Sequence, residues 1–167
     1  MGYDLSRQVH AAGASLVVCD VNQQNAARTQ RDFGAEIVSP EQIMHQDVDI
    51  LSPCALGATL DAQSIPQIKA SIIAGAANNQ LATGEDGQRL SDRNILYAPD
   101  YVINGGGIIS ASLEYMGDKS AADVSAQIAL IPGRLTKIFV AASQQQKPTN
   151  VIADSMAESI VAAGKRT

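Results

Sequence analysis

Cysteine is scarce in this chain of 167 residues: Cys19 and Cys54 are the only two. Two thiols without CxxC spacing, beside the isolated His10 and His45, make neither a disulfide framework nor a zinc-ligand pattern, so no metal is expected. Basic charge is short as well. Twelve lysines and arginines face 17 acids, for a net charge of −5 and a pI of about 4.8. That balance argues against nucleic acid or an anionic membrane surface as main partner, since either needs a basic face. Long hydrophobic runs are missing: stretches such as residues 72–77 fall far short of the roughly 20 residues of a membrane helix. The first ten residues carry Asp4 and Arg7 and no apolar core, unlike a signal peptide. A reducing cytoplasm is the expected compartment, and no membrane partner is expected.

What is present is a globular composition, 46% hydrophobic and 17% charged, in a length that suits one domain. Short apolar runs alternate with helical or polar connectors. Residues 3–12 read as a helix closed by Gly13, and residues 15–20 as a strand ending in Asp20. Residues 22–33 form a second helix, stopped by Gly34. Further strands are expected at 36–38, 48–52, 71–74 and 95–98, each short and apolar, as in a parallel sheet buried on both faces. Between them, 61–70 and 84–94 are helical or turns, with Glu85 and Asp86 read as solvated loop acids. After Pro99 only helices follow, with a stripe from Val124 to Ala142 that Pro132-Gly133 should kink or split. A last helix over 151–163 is expected, capped by Asn150 and ended by Gly164. The pattern is an α/β domain with a mostly parallel sheet.

Several positions could carry chemistry. An acid at the carboxyl end of a strand, like Asp20, is where a dinucleotide-binding fold grips the adenosine ribose and repels a 2′-phosphate. It stands 18 positions after Gly2, near the usual interval of about 20 from the glycine fingerprint. Val21 and Asn22 offer no arginine for a phosphate, although an acid opening a loop reads equally well as ordinary. Of the GxGxxG loop itself only Gly2 could remain, and one glycine carries little weight. The segment Ser52-Pro53-Cys54-Ala55-Leu56-Gly57 follows the third strand and is small enough for a ligand to approach its backbone. Cys54 reads as a packed thiol in a turn rather than a nucleophile, since neither histidine has a partner arrangement. Asn78 and Asn79 place paired amides after the fourth strand, able to donate and accept at once, or simply to turn the chain. Gly105–Gly107 allows a close backbone approach or a sharp entry into a helix.

In order and spacing, AAGASLVVCDVN, SPCALGATL, IPQIKASIIAGAANNQLA and ILYAPDYVINGGGIIS resemble the Glu/Leu/Phe/Val dehydrogenase family, with a weaker echo in VIADSMAESI. The resemblance covers nearly the whole chain and is nearest the leucine-type members. It implies a Rossmann-like, doubly wound, mostly parallel sheet followed by C-terminal helices. It also implies NAD-dependent oxidative deamination of a branched-chain or apolar L-amino acid to its 2-oxo acid.

Carried over position by position, Gly2, Asp20, Val21, Cys54, Ala55, Asn78 and Asn79 would contact NAD. Asn79, Ile108 and Ala111 would contact the substrate. The family's catalytic lysine and aspartate belong to an amino-terminal domain that has no counterpart here, so no catalytic residue is assigned. Residues 1–167 are expected to be one incomplete NAD-binding domain without its first strand, with a helical tail from about 111 to 167. Met1 stands where the family has a valine, which leads to the expectation of a longer reading frame. Loss of the central strand is expected to leave residues 16–19 and 48–51 with unpaired buried edges, marginal stability and weak NAD binding.

The complete enzyme is expected to be a homo-oligomer. The alternative is a non-catalytic remnant that binds a nucleotide or a subunit. Departures from the family pattern are NGGG for NAGG at 104–107, Ala111 where valine is common, Ser110 and Ser112 in place of an asparagine and an acid, and Pro132 within a helix. They bear on which amino acid is taken.

Overall fold

The computed structural model describes residues 1–115, 117 and 120–164; positions 116, 118, 119 and 165–167 of the expected domain and tail lie outside the described residues. Helix α1 (Gly2–Ala11) leads to β1 (Val17–Val18), α2 (Gln23–Phe33) and β2 (Glu36–Ile37). Then come α3 (Pro40–Ile43), β3 (Ile50–Leu51), a 3-10 turn at Ile65–Gln67, and β4 (Ile72–Ile73). Helix α4 (Gly84–Asp92) precedes β5 (Leu96–Tyr97), which is followed by α5 (Asp100–Ile103), α6 (Gly106–Tyr115), α7 (Ala121–Ile128), α8 (Ile131–Gln145) and α9 (Thr149–Gly164).

Local chemistry accounts for the boundaries. Asn22 caps α2 by accepting from the Gln24 N–H at 3.0 Å, and Gly34 ends the helix with a left-handed φ of 67°. The stripe is split as expected: α7 ends at Ile128, and Pro132 sits in the first turn of α8, where its missing N–H costs nothing. By length and composition alone the run Ala121–Gln145 is apolar enough to cross a membrane. In the fold it is these two helices, and α8 turns Ile131, Leu135, Ile138 and Ala142 inward.

Among the described residues the strand pairs are parallel, in two separate sheets: β1 beside β2, and β4 between β3 and β5. That is what remains of the doubly wound order 3-2-1-4-5-6 when the central strand is taken out. The strands at the gap are unpaired on that side, as expected, and their burial is mixed. In β3 Ile50 is 51% exposed while Leu51 is buried, and in β1 Val17 and Val18 are half-buried.

The main core surrounds the larger sheet, with Leu51, Leu60, Ile65, Ile68, Ile73, Leu90, Ile95 and Tyr97 in one cluster. A second cluster joins α8 to α9 through Ile138, Ala142, Ile152 and Ala153. Two sequence expectations are corrected. Asp86 is buried, not solvated: it forms the capping box of α4, accepting from Thr83 N–H at 2.7 Å, and pairs with Arg89 at 2.7 Å. Asn150 does not cap α9. The Pro148 carbonyl already accepts from Ile152 N–H at 3.2 Å, so the helix starts earlier, and Asn150 is packed against Gly87 of α4 instead.

Candidate functional site

In a parallel α/β sheet the loops at the carboxyl ends of the strands line the ligand crevice. Asp20 lies two residues past β1 and is exposed. Its Oδ1 accepts from the Asn22 N–H at 2.8 Å and its Oδ2 from the Asn25 side-chain amide at 3.0 Å. Both partners belong to the cap and first turn of α2, so the carboxylate is fixed in place. Each of its oxygens can accept about two bonds, which leaves capacity for the two hydroxyls of a ribose. Val21 beside it is 92% exposed. Burial, followed by the charges of Asp20 and Glu41, pushes the Cys19 thiol up, so it stays protonated.

The loops after β3 and β4 dovetail. A Cβ added to Gly75 would overlap the backbone nitrogen and carbonyl oxygen of Pro53, which makes glycine obligatory there, and Ala77 N–H donates to that same Pro53 carbonyl at 2.9 Å. Gly57 fits against the carbonyls of Asn78 and Asn79, which a Cβ would meet at 2.6 and 2.9 Å. The start of α1 comes to the same place: a Cβ on Gly2 would lie 3.7 Å from the Cβ of Cys54. Thus Gly2, Cys54, Asn78 and Asn79, far apart in sequence, meet at one edge, with exposed Ala55 following Cys54. Asp20 stands on the other sheet, and its hydrogen bonds remain within its own loop and α2.

The asparagines differ in their surroundings. Asn78 Oδ1 accepts from Asn104 Nδ2 at 2.7 Å, which ties the loop to the turn before α6. Asn79 has a left-handed φ of 52°, its N–H donates to Asp100 Oδ2 at 2.7 Å, and its carbonyl accepts from Ala58 N–H at 2.6 Å. Gln80, fully buried, donates to the carbonyls of Gly75 and Ala77 at 2.9 and 3.0 Å. Asp100 Oδ1 accepts from the Tyr97 hydroxyl at 2.7 Å; burial first, then the bond to Asp100, pushes that phenol far up. Sequence reasoning assigned no role to Gln80, Asp100 or Asn104. The available signal was an acid directly after Ala98-Pro99, where a strand gives way to a helix.

Ile108 and Ala111 are both exposed on α6, one turn apart. Ile108 lines a shallow groove of about 210 Å³ with Ile109, Ser112, Leu113 and Gln127, between α6 and α7; Ala111 is not part of that lining. A second groove, of about 270 Å³, runs from Asn79 past Thr83 and Asp100 to Tyr101 and Asp154.

The model of the Glutamate/Leucine/Phenylalanine/Valine dehydrogenase family matches residues 12–164. Leucine dehydrogenase of Bacillus subtilis is 42% identical over 95% of this chain and 43% of that protein. L-tryptophan dehydrogenase of Nostoc punctiforme is 43% identical over 100% of this chain and 47% of that protein. The crystal structure of the Nostoc enzyme matches with a TM-score of 0.93 at 42% identity, over 98% of this chain and 49% of that one. A hetero-hexameric glutamate dehydrogenase from Thermus thermophilus shares the fold, with a TM-score of 0.59 at 19% identity. The chain thus spans less than half the length of the curated relatives it matches, 43% and 47% of the two named. With the family's Rossmann-like fold and its motifs in order along the carboxyl edge, the chain belongs to the glutamate/leucine/phenylalanine/valine dehydrogenase family.

Proposed function

We propose that this chain is the NAD-binding part of an amino-acid dehydrogenase that converts a branched-chain or other apolar L-amino acid to its 2-oxo acid. The carrying observation is the carboxyl edge, where the first glycine of α1 meets Cys54 after β3 while the Asp20 carboxylate is held rigid after β1. Asp20 accepts from the adenosine ribose hydroxyls, and its charge disfavours a 2′-phosphate. Gly2 and Val21 leave room for the adenosine and phosphate portion; Cys54 and Ala55 contact the nicotinamide side through their backbone. Asn78 and Asn79 orient the nicotinamide carboxamide or the amino acid, and Ile108 and Ala111 border the substrate side chain. Bound there, NAD would supply the two-electron acceptor for oxidation at the amino acid's α-carbon.

The proton transfers belong to residues beyond this chain, so the domain is inactive alone and requires an amino-terminal catalytic part. The complete protein is a cytoplasmic homo-oligomer in this reading. The open edges of β1 and β3 favour a second role, as a surface that pairs with another segment or subunit.

The test is a titration of NAD and NADP against the chain and its Asp20→Ala variant, by calorimetry. Weak binding of NAD, with NADP weaker still, is expected. Loss of charge-assisted bonds worth about 1.5–3 kcal/mol should weaken NAD by roughly 10- to 100-fold and erase the discrimination. Equal affinity of the unaltered chain for both dinucleotides would sink the assignment of Asp20. Assays of leucine, valine, phenylalanine and tryptophan with the full-length protein then identify the amino acid.

A further inference from the structure

Of the two adjacent asparagines after β4, only one has its side chain in use. Asn78 gives its Oδ1 to Asn104, whereas the exposed side-chain amide of Asn79 makes no hydrogen bond among the described residues. The backbone of Asn79, by contrast, is held from both directions. Its N–H donates to Asp100 at 2.7 Å, its carbonyl accepts from Ala58 at 2.6 Å, and its φ is 52°. A residue with a Cβ stays in that region when its surroundings over-determine it, and asparagine tolerates the region best. The decisive partner is a buried carboxylate. Asp100 is 7% exposed and uses one oxygen on Asn79 and the other on the Tyr97 hydroxyl. Tyr97 is anchored in turn, since its carbonyl accepts from the Thr149 hydroxyl of α9 at 2.7 Å.

A buried carboxylate is costly, and an apolar replacement of similar shape often serves packing as well. Retaining one here makes sense if it sets a geometry. We propose that Asp100 is a positioning residue of the binding site: it acts through Asn79, fixing the left-handed backbone that presents the free carboxamide to the bound ligand. The inference rests on the reading above, in which Asn79 contacts the nicotinamide or the amino acid. Tyr97 and Thr149 extend the support to α9, so docking of the last helix and the aim of Asn79 are linked.

The experiment is a double-mutant cycle of Asp100→Ala and Asn79→Gly in the full-length protein, with Asp100→Asn as the conservative control. Binding of NAD and of the amino acid is read by calorimetry, and protection of the Asn79 amide by hydrogen exchange. Asp100→Ala should expose the Asn79 amide to exchange and weaken one ligand by about tenfold, the worth of one hydrogen bond to a charged group. With Asn79→Gly already present, Asp100→Ala should cost less than about threefold, because the group it positions is gone. Asp100→Asn can still accept from Asn79 N–H while donating to Tyr97, and should restore most of the affinity. An equal loss in both backgrounds, or an unchanged Asn79 amide, overturns the proposal. If Asp100→Ala fails to fold, the unaltered protein decides: ligand must shift the side-chain NH₂ resonances of Asn79 more than those of Asn78, and the reverse overturns it. If the unaltered protein binds neither ligand, the functional reading itself falls, which is a different result.

Discussion

The two sheets of this domain are held together by different means. Around β3–β4–β5 a continuous cluster is closed to water: Leu60, Ile73 and Leu90 are 0% exposed. Around β1–β2 only Ala26, Thr29 and Ala35 are buried, and α1 has no buried residue at all. What joins α1 to α2 lies on the surface. Arg28 stacks over the Tyr3 ring at 3.8 Å, Tyr3 and Phe33 meet at 5.1 Å, His10 and Phe33 at 5.5 Å, and the Tyr3 hydroxyl donates to Asp32 at 2.8 Å. Apolar burial scales with area, while exposed polar and cation–π contacts are each worth about 1 kcal/mol or less. The larger sheet is therefore the stable body of the domain, and the smaller one, which carries Asp20, is the part that loosens first.

The largest expected effect tests that ranking. Ile73→Ala empties the centre of the main cluster and should cost about 2–5 kcal/mol in urea unfolding. Val17→Ala, in a half-buried strand of the smaller sheet, should cost well under half as much. Equal losses would break the comparison. Native-state hydrogen exchange is the finer probe. Amides of α1 and of β1 should exchange through a local opening of lower free energy than those of β4, and a single common value would mean that the two sheets open together.

This asymmetry was partly legible in the sequence. All five strands, their parallel class and the stop at Gly34 follow from short apolar runs and punctuating residues, whereas Asn22, read as the first residue of its helix, caps it instead. Their lengths do not: residues 15–20 read as a strand of six, and only Val17–Val18 are paired. Pairing depends on a neighbour, and periodicity describes one segment at a time. Asp86 and Asn150 were misjudged for a related reason. Each looks like a local polar residue, yet Asp86 is buried by its own capping box and by Arg89, and Asn150 by Gly87, which is 63 positions away. The ends of the strands located Asp20, Cys54 and Asn79, whereas the support from Asp100 arises from a contact 21 residues long. The short helix α3, set by the Ser39–Gln42 capping box, lies in a stretch with no apolar period to announce it.

The smallest effect concerns acid. The hydrogen bond from Tyr3, with help from Arg31 and Arg28, holds the Asp32 carboxyl below its ordinary value of 3.8. A carboxyl lowered in the folded state adds stability that is complete above the unfolded value and is lost as pH falls through the folded one. The α1–α2 contact should thus be strongest at neutral pH and fade below about pH 4. Asp61 is lowered by the N–H groups of Ser64 and Gln63, in the connection between β3 and β4, and fades in the same window. The difference lies in what remains afterwards: the larger sheet keeps its apolar cluster, whereas the α1–α2 pair loses one of its few ties. Asp32→Asn should lower the melting temperature slightly at pH 7, and its deficit should shrink as pH falls below about 4 and the unaltered carboxyl begins to take up its proton. A deficit that persists unchanged at pH 2.5 would mean that Asp32 acts by shape rather than by charge, and the surface account of this lobe would have to be replaced.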